Sequence, residues 1–293
     1  MTAPRVDATR IRDHVLRLGE KHPPVDLASA DFTVRDPAAV RRRFAQPLDY
    51  MARVEMEVER NVLELAVMLP GVSETDRLFY ADVWAPQEER HGLLLDTLVR
   101  RLDLPPAEPD LDGPTAQVRV LGALAHIPAV QEVIRLLYYL TGAATEKSAM
   151  LAYAAMSADL EAMGETAVKR TVVDAIKVQE PGHFAFYRMS AQEMIETSVL
   201  KPWQLRIARF IRSKAFSLVG ASTPERKADF GGVLVNLGLA DDLERTVRDV
   251  SRLEHHLLWA QDQGMDVPAY ALRAFRDAAD SYRERVQGAA LAA

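Results

Sequence analysis

Four segments of this chain set a carboxylate or an imidazole inside an otherwise apolar helical stripe, and that arrangement limits the folds open to it. In the first, Val54, Glu57, Val58, Leu65 and Leu69 fall on or beside one face. In the second, Trp84, Glu88, His91, Leu95 and Leu98 step by four, three, four and three, and so do Tyr139, Ala143, Glu146, Met150 and Tyr153 in the third. The fourth runs Val173, Ile176, Glu180, His183, Tyr187. Side chains three and four apart share a helix face, so the polar groups point where the apolar ones point. A buried, unpaired carboxylate costs several kcal/mol, and it must be protonated, paired or bound to a metal. Six such groups on four helices call for a common explanation.

The rest of the sequence is equally helical. Ala, Leu, Glu and Arg dominate, with Gly and Pro confined to short breaks. The pattern predicts helices over 6–20, 47–69, 75–102, 115–125, 129–160, 165–195, 200–215, 224–236, 239–262 and 268–287. The Pro/Asp-rich connector at 103–114 and the break at 218–226 are too short to argue for separate domains, so residues 1–293 read as one all-α domain, its core at about 47–195. There is no Cys, so any metal must be held by carboxylate and imidazole. The N-terminal stretch lacks the apolar run of a leader, no segment is apolar enough to span a bilayer, and the expected setting is cytoplasmic. A net charge of −6 gives no general reason to expect nucleic-acid binding.

Spacing ties the six groups to one place. Glu57 and Glu88 have their midpoint in the Pro70-Gly71-Val72-Ser73 turn, while Glu146 and Glu180 have theirs beside Gly164. Residues equidistant from the turn of an antiparallel hairpin lie level, here about 23–26 Å from each turn at 1.5 Å per residue. One helix of each pair offers a single Glu and the other Glu-x-x-His (Glu88/His91, Glu180/His183), the inward-facing pattern by which helical bundles hold two iron or manganese ions. The competing account is a set of buried salt bridges, with Arg60 and Arg90 as the cations.

At these residues the chain resembles the soluble acyl-acyl-carrier-protein desaturases. Trp84-Ala-Pro-Gln-Glu-Glu-Arg-His-Gly92 is similar to that family's Trp-Thr-Ala-Glu-Glu-Asn-Arg-His-Gly, and Glu180-Pro-Gly-His183 with Phe184 to Arg188 resembles its second motif. The resemblance covers about residues 47–216. It implies a ferritin-like four-helix bundle with flanking helices, and Glu57, Glu88, His91, Glu146, Glu180 and His183 as ligands of two iron ions (manganese being the alternative), Glu88 and Glu180 bridging. It further implies oxygen-dependent desaturation of an acyl chain on acyl carrier protein or coenzyme A, a ferredoxin-type electron donor, and a homodimer. Three positions depart from the family: Ala149 replaces a Thr, Gln179 an acidic residue, and Pro181-Gly182 interrupts the second motif, where a kink or π-like bulge is expected.

Other residues are weaker candidates. Trp84 is the candidate for electron transfer. Tyr138, Tyr139, Met150, Tyr153, Phe184, Phe186 and Tyr187 either wall an apolar tunnel or pack the core. Arg206, Arg209 and Arg212 step by three and would form a basic ridge for an acidic carrier. Two rivals remain: a ferritin-like N-oxygenase or hydroxylase, against which Ile176 stands where the N-oxygenases often carry a third His, and a non-catalytic metal-binding relative. No hydrolase, phosphate-loop or dinucleotide motif is present.

Overall fold

Helix starts in this chain are written by side-chain caps. Asp7, Asp36, Ser73, Thr115, Thr223 and Asp242 each accept a hydrogen bond from a first-turn backbone N–H, and Pro follows at the start of several helices. The computed structural model describes residues 6–221, 223–260 and 265–292, and among these there is no strand.

The elements are α1 (Ala8–Lys21), a 3-10 turn at Leu27–Ser29, α2 (Pro37–Met56), α3 (Val58–Met68), α4 (Glu74–Arg77) and α5 (Ala85–Arg101). They continue with α6 (Ala116–Ala125), α7 (Pro128–Met163), α8 (Thr166–Val168), α9 (Asp174–Lys177) and α10 (Glu180–Glu196). Last come α11 (Pro202–Lys214), α12 (Pro224–Asn236), α13 (Leu243–Trp259) and α14 (Ala269–Ala292). Two π-wound segments, Leu78–Trp84 and Lys169–Val173, join α4 to α5 and α8 to α9. No helix among the described residues is long and apolar enough to cross a membrane.

Most expected helices are present, with one consequential difference. The helix expected over 47–69 starts ten residues earlier, at Pro37, keeps Pro47 in its interior and breaks at Glu57. Resemblance to a helix starting at Pro47 misleads, because Asp36-Pro37 is the true cap and first turn. Residues 261–262, the end of the helix expected over 239–262, lie outside the described residues. Gly164 closes α7 in the left-handed conformation, φ 74°, as its place between the two helices requires.

Packing follows the two hairpins. Helix α2 lies along α5 and α7 along α10, while α12 and α14 close one flank, α11 and α13 rest on α7, and α1 covers α10. The buried apolar residues form two clusters. One gathers Phe44, Leu48, Leu94, Leu95, Tyr153, Met156 and Ile176; the other gathers Phe79, Tyr80, Trp84, Tyr139, Phe186 and Tyr187. Along each of the long helices the predicted ligand positions fall where one cluster ends and the other begins. A polar layer is thus held between two apolar slabs.

The flank formed by α12 and α14 is the tightest contact. A Cβ on Gly231 would stand 1.9 Å from the Ala278 carbonyl oxygen, so the helices meet backbone to backbone. Helix propensity alone favours Ala over Gly by about 1 kcal/mol. Gly231→Ala is nonetheless expected to lose about 1–3 kcal/mol, measured by chemical denaturation, because the two helices must separate. A neutral or stabilising result would contradict this packing.

Candidate metal centre

Helix α2 delivers Glu55 to the polar layer, α5 delivers Glu88 and His91, α7 delivers Glu146, and α10 delivers Glu180 and His183. All six are buried, both imidazoles completely. Ligand atoms of Glu88, Glu146, Glu180 and His183 lie within 4.8 Å of one another, and so do those of Glu55, Glu88 and His91. Glu88 belongs to both groups. Its Oε1 is 2.9 Å from His183 Nδ1 and 3.9 Å from His91 Nδ1. Glu180 also reaches both imidazoles, with Oε1 3.3 Å from His91 Nδ1 and Oε2 3.6 Å from His183 Nδ1.

Five of the six expected residues are therefore together, and the sixth is replaced. Glu57 is buried elsewhere, its carboxylate held at 2.6 Å by each of two Arg226 nitrogens and accepting from the Asp110 N–H at 2.9 Å. Two residues along a helix rotate a side chain by about 200°, so Glu55 and Glu57 cannot face the same way. The sequence contains the signal for Glu55: Phe44, Leu48, Met51 and Glu55 step by four, three and four, the rhythm of the other stripes. Starting the helix at 47 cut that stripe short.

The imidazoles are locked from behind. His183 Nε2 is 2.6 Å from Gln87 Oε1, and His91 Nε2 is 2.8 Å from Gln179 Oε1. Each amide is oriented in turn, Gln87 donating to the His22 carbonyl and Gln179 to the Pro23 carbonyl at 2.8 Å. With its NH2 so engaged, each Gln offers only its oxygen, and Nε2 must carry the ring proton. The Nδ1 atoms are left facing the carboxylates, to carry a proton or, once that is shed, a metal. Both Nδ1 atoms, Glu88 Oε1 and Glu180 Oε1 are buried without a hydrogen-bond partner.

Tyr153 donates to Glu55 Oε1 at 2.7 Å, and the Trp84 indole N–H to Glu146 Oε1 at 3.3 Å. The salt-bridge account fails on its cations. Arg60 pairs with Glu64 and Asp110, Arg90 is exposed, and among the described residues the four clustered carboxylates have ion-pair partners only in the two histidines. No guanidinium or ammonium neutralises them.

The second motif explains its own oddities. Helix α9 ends at Lys177 and α10 restarts at Glu180, so Pro181 sits in a first turn where its missing N–H costs nothing. Gly182 lets α1 approach: a Cβ there would lie 2.2 Å from Leu18 Cδ1, and the Gly182 carbonyl is 2.9 Å from His14 Nε2. The helix is interrupted at Val178–Gln179, just ahead of this motif. The first motif has an unexpected counterpart, since Pro86 sits in the first turn of α5, two residues after the π-wound segment at 78–84.

A cavity of about 610 Å³ adjoins the cluster, touching Glu55, Glu88, Glu146 and Glu180. Its lining also includes Leu124, Ile207, Leu234, Phe275, Ala149, Tyr138 and Tyr187. Of the aromatic wall candidates only these two tyrosines face the space. Tyr139 instead donates to Asp76 at 2.7 Å, and Phe186 stacks on Phe79 with centroids 3.6 Å apart.

The basic ridge does not form as expected. Arg212 is buried, bonded to Glu254 at 2.6 Å and Thr141 at 3.0 Å. Arg209 lies against the Trp259 ring, and of the three only Arg206 is exposed. An i+3 repeat drifts round a helix, which turns its last member toward the core. Comparison with family models, curated proteins and solved structures finds no match to this chain.

Without a cation the cluster is electrostatically frustrated. Burial pushes Glu146 up to about 8 and, with the neighbouring Glu55 carboxylate, drives Glu88 well above its ordinary range. Burial opposes the charged form of Glu180 as well, but His183 and His91 outweigh it and hold Glu180 ionised. His183 is likewise raised, its neighbouring carboxylates overcoming its burial. Stability linked to the raised groups is present below their unfolded values and lost as pH rises through the folded ones. The chelator-treated protein is therefore expected to melt several degrees lower at pH 9 than at pH 5.5. Protein mixed with a divalent metal is expected to show a metal-induced rise in melting temperature that grows over the same range, because ligands must shed protons to bind. A pH-independent melting temperature in the chelated protein would remove the basis for this reading.

The amide locks are separately testable. Gln179→Ala leaves His91 free to rotate, and it is expected to weaken metal binding by about 10–100-fold in competition with a chelator. Unchanged affinity would mean that the locks are incidental.

Proposed function

We propose that this chain is a ferritin-like di-iron protein that uses oxygen to desaturate an acyl chain presented as a thioester of acyl carrier protein or coenzyme A. The observation that carries the metal reading is the convergence of four carboxylates and two imidazole Nδ1 atoms in a buried layer where, among the described residues, no lysine or arginine pairs with them. A wholly oxygen-and-imidazole set, with no thiolate, suits iron or manganese. Glu88 and Glu180, each within reach of both imidazoles, fit the bridging roles; Glu55 with His91, and Glu146 with His183, fit the terminal ones.

Two reduced iron ions bound here would supply the oxygen activation that removing hydrogen from an alkyl chain demands. The chain's own residues do the rest. Gln87 and Gln179 fix the ring orientations, and Tyr153 and Trp84 hold Glu55 and Glu146 in place. The predominantly apolar cavity aligns a flexible chain beside the carboxylates and excludes water, which limits side reactions. Trp84 touches a ligand directly and packs edge-on against Tyr80, centroids 5.9 Å apart, so it is the residue through which an electron from a ferredoxin-type donor would pass.

Ala149 supports a second reading. It lines the cavity where the resembled family carries a hydroxyl, and the nearby Thr145 and Ser148 hydroxyls are spent on the Thr141 and Ala144 carbonyls. A hydroxylase on the same scaffold fits that change. The N-oxygenase variant finds less support, since Ile176 is fully buried in the apolar core.

Anaerobic reconstitution is expected to load about two iron ions per chain. Glu55→Ala, Glu88→Ala and His183→Ala should lose most of that metal, while Glu57→Ala should retain it. Oxygen uptake by the reduced protein should then accompany loss of two hydrogens from an acyl thioester, read by mass spectrometry. Gain of one oxygen would select the hydroxylase. Failure to bind metal, or a requirement for Glu57 and not Glu55, would overturn the assignment.

A further inference from the structure

Helix α11 is amphipathic in the wrong sense for a core element, because its apolar ridge faces outward. Phe210 is 64% exposed, Trp203 43%, Ile207 41% and Ile211 36%. At 100° per residue these four fall within about 100° of one another. The inward side carries polar groups at both ends, with the fully buried Ala208 between them: Arg212 is buried on Glu254, and Gln204 donates to the Ala129 carbonyl at 2.7 Å. The exposed cations are Arg206 and Lys214 on this helix and Lys201 at its N-cap, and the thirteen-residue helix contains no Asp or Glu.

Part of the ridge borders the cavity. Trp203, Ile207 and Ile211 line it while remaining exposed at the surface, and so does Leu124 of α6. The mouth of the cavity is therefore rimmed by apolar side chains and flanked by cations.

We propose that this face docks on an anionic lipid surface, with α11 lying in the headgroup plane and the cavity opening toward the acyl chains. Aromatic and aliphatic side chains on one side of a cationic helix are what the interfacial region of a bilayer binds. Charge selects this occupant over a second copy of the chain. A two-fold contact through this face would set the Arg206 and Lys214 of one copy against the same cations of the other. An anionic bilayer meets both features at once, and it does so although the chain as a whole carries −6. Docking would let an apolar molecule pass between bilayer and cavity without crossing water. The inference concerns the surface and stands whether or not metal occupies the buried cluster.

The test is flotation of the purified full chain with vesicles of phosphatidylcholine alone or mixed equally with phosphatidylglycerol. The protein is expected to float with the anionic vesicles and to remain below with the neutral ones. Trp203→Ser/Phe210→Ser, and separately Arg206→Glu/Lys214→Glu, are each expected to cut the bound fraction by about tenfold. Circular dichroism and metal content of the same samples report whether fold and buried cluster are intact. Four results would overturn the proposal: no flotation with either vesicle; flotation that both double variants leave unchanged; a dimer by light scattering that Trp203→Ser/Phe210→Ser splits; or binding of purified acyl carrier protein, abolished by the charge reversal, in the absence of vesicle binding.

Discussion

Four carboxylates facing two imidazoles, deep in the protein and without a lysine or arginine among them, set the terms for the rest of the structure. Each buried carboxylate would cost several kcal/mol if left ionised and unpaired. The chain does not avoid that cost by placing the groups at the surface. It sandwiches them between two apolar clusters, which keep water out and hold the helices rigidly enough to force like charges together. An arrangement that is unfavourable for the empty protein is favourable for one that binds divalent cations.

The layer is built from a repeated local unit. Each Glu-x-x-His is preceded by Gln, and the two units are interlocked: Gln87 holds the histidine of the second, Gln179 that of the first. Both glutamines are oriented by adjacent carbonyls, His22 and Pro23, just after α1. One short stretch of backbone therefore fixes both imidazoles. Helix α1 is pinned over the same site through His14 and Gly182. An N-terminal helix that looks peripheral in the sequence thus forms the back wall of the centre.

Much of this was legible. The helical punctuation, the two hairpins and five of the six clustered residues follow from periodicity and from distance to the turns, because burial forces every third or fourth side chain inward. The failures have specific causes. Glu57 is a ligand only if it faces the layer, and in the structure it sits at the break between α2 and α3 with its carboxylate paired to Arg226, 169 residues away. Counting from the turn could not separate Glu55 from Glu57, whose midpoints with Glu88 both fall within residues 70–73. The roles of Gln87 and Gln179 were hidden because a glutamine beside a glutamate looks like ordinary helix surface until the partner helix is in place.

The ion pair between Arg212 and Glu254 explains the orientation of α11. Both groups are buried, and Tyr270 donates to the same carboxylate, so the pair is fully engaged within the protein. Such a pair adds little net stability compared with apolar packing. It does decide which side of α11 faces inward, since rotating the helix to bury Trp203 and Phe210 would strand a guanidinium and leave Glu254 alone in the core. The apolar ridge is outward because the polar side is held inward. Exposure of that ridge is thus imposed by a buried interaction on the far side of the helix, and it is not a residue of imperfect packing.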